Sequence, residues 1–175
     1  MSDPLLKWRD EFPILATCNY LINNSLGAMP RGVYERLAHY ADTWATQGVS
    51  AWGSEWWDLT REVGNLIAPL MGAPDDSVLI HQNASIANSI LFGALDFSDT
   101  RRNKVVITDM DFPGDIYVLQ RWLPDFMQIE TVHTDDGISI DTQKLLEAID
   151  DSTRLVSISH VLFRSAYIMP AKAII

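Results

Sequence analysis

From Val78 to Ile175 the chain alternates short apolar, β-branched runs with segments whose apolar residues recur at helical spacing. That order predicts an α/β architecture, a mostly parallel sheet with crossover helices, because parallel neighbours need a long connection and a helix supplies it. The predicted strands are 78–81, 104–108, 127–133 and 154–159. Between them, 85–95 places Ile86, Ile90 and Leu91 on one face, and 114–123 does the same with Tyr117, Val118 and Trp122. Asp141 reads as the cap of a helix carrying Leu145, Leu146 and Ile149. Residues 1–75 follow another pattern, an N-terminal extended and helical segment. It comprises an extended opening, a helix over about 31–46, a Gly/Ser/Trp loop, and a helix over 57–71 stopped by Gly72 and Pro74. Residues 76–175 read as the first part of an α/β domain. Pro170 stands where the first residue of a helix belongs, and only Ala171 to Ile175 follow it. A single apolar turn is a poor terminus, so the domain is expected to be truncated there.

Composition narrows the classes of function. Hydrophobic residues make up 47% of the 175, and the mean hydropathy is +0.02, which suits a globular chain with a sizeable core. A formal net charge of -10 reverses the attraction that governs binding to phosphate backbones, so neither nucleic acid nor an anionic membrane surface is an expected partner. Cys18 is the only cysteine, which excludes an internal disulfide and a cysteine-based zinc cluster and fits a reducing compartment. No apolar run reaches the ~18 residues that span a bilayer, and the first residues are too polar and acidic for a secretory signal. A cytoplasmic protein is expected. Four of the six tryptophans, Trp44, Trp52, Trp56 and Trp57, crowd one short stretch. They read as a packing knot, with a ligand pocket or subunit interface as the alternative.

Familiar nucleotide and hydrolase signatures are missing: there is no G-x-x-x-x-G-K-[ST], no G-x-G-x-x-G after a strand and no G-x-S-x-G. His39, His81, His133 and His160 lack metal-ligand spacing, so no metal site is expected. What remains lies at predicted strand ends. Gln82-Asn83-Ala84-Ser85 leads into a helix, whose free N–H groups and dipole, with the Ser85 hydroxyl, favour an anion; Asn83 or Ser85 acting as a plain cap is the simpler alternative. Asp109 to Asp115 then sets an aromatic ring, Phe112, and carboxylates beside that loop. A ring next to an anion cradle suits a flat, phosphorylated aromatic ligand, although by itself Phe112 reads more simply as a core residue. Ser159-His160-Val161-Leu162-Phe163-Arg164-Ser165 adds polar groups at the same sheet edge, where open α/β sheets bind ligands.

At these residues the sequence resembles the kynureninases and the wider class V aminotransferase family. Asn24-Ser25-Leu26-Gly27 is similar to an early N-S-L-G segment, and Phe112-Pro113-Gly114-Asp115-Ile116-Tyr117 to F-P-[ST]-D-x-Y. Ser159-His160-Val161 through Arg164-Ser165 is similar to [ST]-H-V-x-[FY]-R-T-G, and the stretch from Gly48 to Ala73 resembles the region before the first large-domain strand. The resemblance implies the large-domain portion of a fold type I enzyme with pyridoxal 5'-phosphate (PLP) as cofactor and a small-molecule amino-acid substrate. It implies that Ala84 and Ser85 hold the cofactor phosphate, that Phe112 stacks on the ring, and that Asp115 and Ser159 lie in the cofactor shell. Asn24, Ser25 and Trp52 become candidates on the substrate side. It implies a homodimer for the intact protein, and hydrolysis of a kynurenine-like Cβ–Cγ bond. A class V aminotransferase, desulfurase or epimerase, or a non-catalytic binding or dimerisation module, are the alternatives. No catalytic residue is assigned, because none of Lys7, Lys104, Lys144 and Lys172 fits the Schiff-base lysine of such enzymes. Four positions depart from the family pattern: Ala84 and Gly114 lack hydroxyls, Leu162 stands for asparagine, and Ala166 for glycine.

Overall fold

A computed structural model describes residues 3–175. The chain divides into two compact units, Met1–Ile80 and His81–Ile175.

The first unit is helical. Its opening is not extended: two 3-10 helices, Pro4–Glu11 and Pro13–Ala16, occupy it. Each begins on a proline, whose fixed φ and missing N–H suit a helical first position, and Asp3 caps the first by accepting from the Leu5 N–H. Helix α1 is Val33–Gln47 and α2 is Trp57–Met71. The Gly/Ser/Trp stretch between them is not a loop but a 3-10 turn, Gly48–Ser50, followed by a π-helical turn, Trp52–Trp56. Gly72, at φ 65°, ends α2 in the left-handed conformation that glycine adopts without steric cost. The segment over 78–81 forms no ladder. Its Val78–Leu79 backbone lies instead against α2, where a Cβ on Gly64 would stand 1.8 Å from the Val78 carbonyl oxygen. Only a glycine admits that approach, and a backbone held against a helix is not free to pair as a strand.

The second unit is a three-stranded parallel sheet with helices. Its elements are α3 (Ala84–Ala94), β1 (Lys104–Thr108), α4 (Pro113–Trp122), β2 (Gln128–Val132), α5 (Thr142–Glu147), β3 (Thr153–Val156) and α6 (Ala171–Ile174). The strand order is β2-β1-β3, with Lys104 opposite Gln128 on one side and Thr153 on the other. The central strand is buried on both faces, as its unbroken apolar run requires. Val105 and Ile107 pack with Phe92 and Leu119; Val106 packs with Met110, Val132, Ile140, Leu145, Leu162 and Met169. Asp141 caps α5 by accepting from the Gln143 and Lys144 N–H groups, and Pro170 is the N-cap of α6, one position earlier than its sequence suggests.

The core-facing sides of α3 and α4 differ from the sequence expectation. Phe92 and Leu119 are the buried residues, whereas Ile86, Ile90, Leu91, Tyr117 and Trp122 are exposed. These helices are apolar over more than one face, so periodicity could not select the face that packs. Trp122 lies across α3 nonetheless, its ring 3.2 Å from where a Gly93 Cβ would be.

Candidate functional site

Two helices begin at the carboxyl edge of the sheet, and their first turns meet. Asn83 caps α3, its side-chain oxygen accepting from the Ile86 N–H at 3.0 Å, and the Asn83 carbonyl accepts from Ala87. Of the four N–H groups that a helix leaves unpaired at its start, those of Ala84 and Ser85 therefore stay available. Phe112 is the N-cap of α4 and offers no side-chain cap; its ring is 54% exposed. Gly114 joins the two. A Cβ there would stand 3.3 Å from Phe112 Cδ1 and Cε1, and 3.3 Å from Ser85 Oγ. Ring, hydroxyl and helix N-terminus thus converge on a surface that a glycine keeps open.

Beneath this surface, the Asp115 carboxylate accepts from Asn88 Nδ2 at 2.7 Å. Its pKa lies above the ordinary aspartate value, chiefly because burial penalises the charge and also because Asp111 is near, while the Asn88 hydrogen bond opposes both. Asp111 is 6% exposed. One of its oxygens accepts from the Thr108 N–H and Oγ1, each at 2.8 Å, and the other accepts from the Ser159 N–H at 2.6 Å. Past the end of β3 the Ser157 amide still donates to the Val106 carbonyl, and at Ser159 a side chain, not a neighbouring strand, takes the amide. Past Ser159, Phe163 packs edge-on against Phe112 with centroids 5.2 Å apart, and the Arg164 guanidinium lies over the Phe163 ring at 5.3 Å. Leu162 is buried in the core, and Ala166 turns the chain back at φ 57°, so that Leu162 pairs with Tyr167 and His160 with Met169.

Of the residues singled out in the sequence, Ala84, Ser85, Phe112, Asp115 and Ser159 are brought to one edge of the second unit. Asn24, Ser25 and Trp52 belong to the first. Asn24 and Ser25 lie in an exposed turn in which Ser25 donates to the Ile22 carbonyl. Trp52 packs on Trp56 and Trp57, and Trp56 stacks on Tyr40 at 4.8 Å, around a groove of about 710 Å³ that Arg36 and His39 also line. The cluster is less a buried knot than expected: Trp44, Trp52 and Trp57 all remain exposed, Trp57 at 73%. Sequence reasoning passed over Asp111 and Asn88. Asn88 carried a faint signal, since it follows Ala84 by one helical turn in an apolar helix.

A parallel sheet whose carboxyl edge presents a helix N-terminus, a hydroxyl and an exposed aromatic ring has the features that suit a phosphorylated ligand. Residues 19–175 match the family described as aminotransferase class-V, and this chain belongs to it. It is 27% identical over 176 residues to the kynureninase of Geobacillus thermodenitrificans (strain NG80-2), covering 96% of this chain and 41% of that protein. It is 31% identical over 172 residues to the kynureninase of Burkholderia mallei (strain SAVP1), covering 95% and 40%. Among solved structures, a mutant of C-DES with glycine covalently linked to its PLP cofactor superposes with a TM-score of 0.80 at 20% identity, over 95% of this chain and 44% of that one. A complex of the cystine C–S lyase C-DES with its product cysteine persulfide superposes equally well. The chain thus spans about two-fifths of the length of the curated relatives it matches, and its fold is that of the matching part of a PLP fold type I enzyme. Family, relatives and structural neighbour together point to pyridoxal 5'-phosphate as the cofactor.

The residues present fit that group. The Ala84 and Ser85 N–H groups and the Ser85 hydroxyl suit a phosphate, and the half-exposed Phe112 beside Gly114 offers an aromatic ring next to them.

Proposed function

We propose that this chain is the amino-terminal part of a PLP-dependent enzyme acting on an amino acid, with kynureninase-type hydrolysis of a Cβ–Cγ bond as its reaction. The observation that carries the reading is the convergence of Ser85 Oγ and the Phe112 ring on Gly114. Ala84 and Ser85 would hold the phosphate through backbone N–H and hydroxyl donors, helped by the α3 dipole. Phe112 would cover one face of the cofactor ring and exclude water from it. Asp115, anchored by Asn88, and the Ser159 segment, anchored by Asp111, would complete the shell from either side. When bound, the cofactor supplies an electron sink for charge developing on the substrate. The amine that bonds to it is not among this chain's lysines in this reading. Lys104 is clamped by Glu130 and Asp150 at the amino end of the sheet, Lys144 is paired with Asp135, Lys172 lies in α6, and Lys7 belongs to the first unit.

A second reading, a class V enzyme acting on a different amino acid, is favoured by Leu162. Its burial among Val106, Leu145 and Met169 leaves no polar side chain where kynureninases often carry asparagine. The experiment compares PLP with pyridoxal, which lacks the phosphate, for binding to the purified chain. Tighter binding of PLP, weakened in Ser85→Ala, is expected, together with no kynurenine turnover above a PLP-only blank. Equal affinity for the two would sink the cofactor reading, and turnover by the chain itself would sink the assignment of its lysines.

A further inference from the structure

Asp111 is a carboxylate buried without a cation: no ion pair among the described residues includes it, and three donors from two segments surround it. Thr108, on one side, is the fully buried last residue of β1. Ser159, on the other, is 48 residues further along, in the segment that follows β3. A buried carboxylate is costly unless its oxygens are satisfied, and bonds to a charged acceptor are roughly twice as strong as neutral ones. The Asp111 side chain is also the neighbour of Phe112 in sequence, so whatever fixes Asp111 fixes the start of the loop that presents the ring.

We propose that Asp111 is a positioning residue of this edge, a strut that ties the Ser159 segment to the end of β1 and so sets the two loops that flank Phe112 at a fixed separation. The significance of that separation for a cofactor rests on the reading of the site given above; the strut itself rests on the geometry. It makes two demands. The Ser159 amide, although in an irregular segment, must be held as firmly as a ladder amide. Asp115 must also feel the strut's charge: the groups that face Asp115 are Asn88 from α3 and Asp111 from the segment that leads into α4, and Asp111 is the only charge acting on it among the described residues.

Amide exchange and carboxyl titration, followed by NMR on the intact 175-residue chain, test both. In the unsubstituted chain the Ser159 amide is expected to be protected and Asp115 to titrate above the ordinary aspartate value. In Asp111→Asn the side chain presents one oxygen and one NH2, so it can accept on one side only. Ser159 exchange is then expected to quicken by about tenfold or more, and the Asp115 midpoint to fall. Asp111→Glu keeps the charge at the cost of the fit, and is expected to leave the Asp115 midpoint nearer its original value than Asp111→Asn does. A purely space-filling residue would lower the melting temperature without moving that midpoint. An unprotected Ser159 amide in the unsubstituted chain overturns the proposal, even if every variant unfolds. So does an Asp111→Asn variant in which neither reading moves. A chain that protects Ser159 yet binds PLP no better than pyridoxal leaves the strut standing and removes the cofactor reading alone.

Discussion

Phe112 separates two roles that a buried aromatic ring would confound. Because 54% of it is exposed, its removal forfeits little packing, and the loss should appear in cofactor retention instead. Stacking beyond burial is worth about 0.5–1.5 kcal/mol, so Phe112→Ala is expected to weaken PLP binding roughly threefold to tenfold with little change in melting temperature. A ring in the core would cost about 3–5 kcal/mol of stability instead, and side-by-side measurement of affinity and unfolding distinguishes the two. Ala166 shows a different kind of residue effect. Its φ of 57° is one that a Cβ disfavours by roughly 1–2 kcal/mol, and nothing but the tight return from Leu162 to Tyr167 holds it there. Ala166→Gly is therefore expected to raise the unfolding free energy by about 1 kcal/mol, read from the urea midpoint. The sequence marks both positions, Phe112 by its place after a strand and Ala166 by its departure from a glycine. It does not mark Asp111, since an aspartate before a proline-led helix looks like any turn residue until its partner, 48 positions away, is known.

Elements were legible where local chemistry decides their limits. The second helix of the first unit runs from Trp57 to Met71 as its periodicity and the following Gly72 indicate, and β1 occupies the run assigned to it. Reading failed where tertiary neighbours decide. The 78–81 segment has the composition of a strand, but its backbone lies on α2 at Gly64. The exposed sides of α3 and α4 also carry large apolar residues, Ile86, Ile90, Leu91 and Tyr117 among them. Gly64 gives the sharpest test at this scale. In the middle of a helix, alanine ordinarily gains ~1 kcal/mol over glycine, but here a Cβ would meet a backbone oxygen at 1.8 Å that no rotamer change can relieve. Overpacking of this kind costs about 1–3 kcal/mol or more, so Gly64→Ala is expected to destabilise the first unit, with proteolysis appearing first around 72–80.

For the whole molecule, the apolar surface is the dominant fact. Large side chains are open on both units, among them Leu66, Leu70, Trp57, Ile90, Tyr117 and Ile168, more than a solitary soluble chain of this acidity needs. We propose that the intact protein pairs with a second copy, and that part of this surface is covered there. Sedimentation of the intact protein is expected to show a dimer at micromolar concentration; an active monomer at that concentration would count against it. Among the described residues no helix is long and apolar enough to cross a membrane.

The lysines are held in different surroundings, with consequences for their reactivity. Lys104, at the amino end of β1, lies between Glu130 and Asp150 at 2.9 Å from each, and these bonds hold its pKa above the ordinary lysine value. An amine kept protonated and only 12% exposed is a poor nucleophile, whereas Lys7 and Lys172 carry no such clamp among the described ion pairs. Acylating reagents should therefore label the chain in a fixed order, with Lys104 last. Because its shielding requires Glu130 of β2 and Asp150, in the turn that leads into β3, to be in place, the rate at which Lys104 is labelled becomes a built-in gauge of how often this end of the sheet opens.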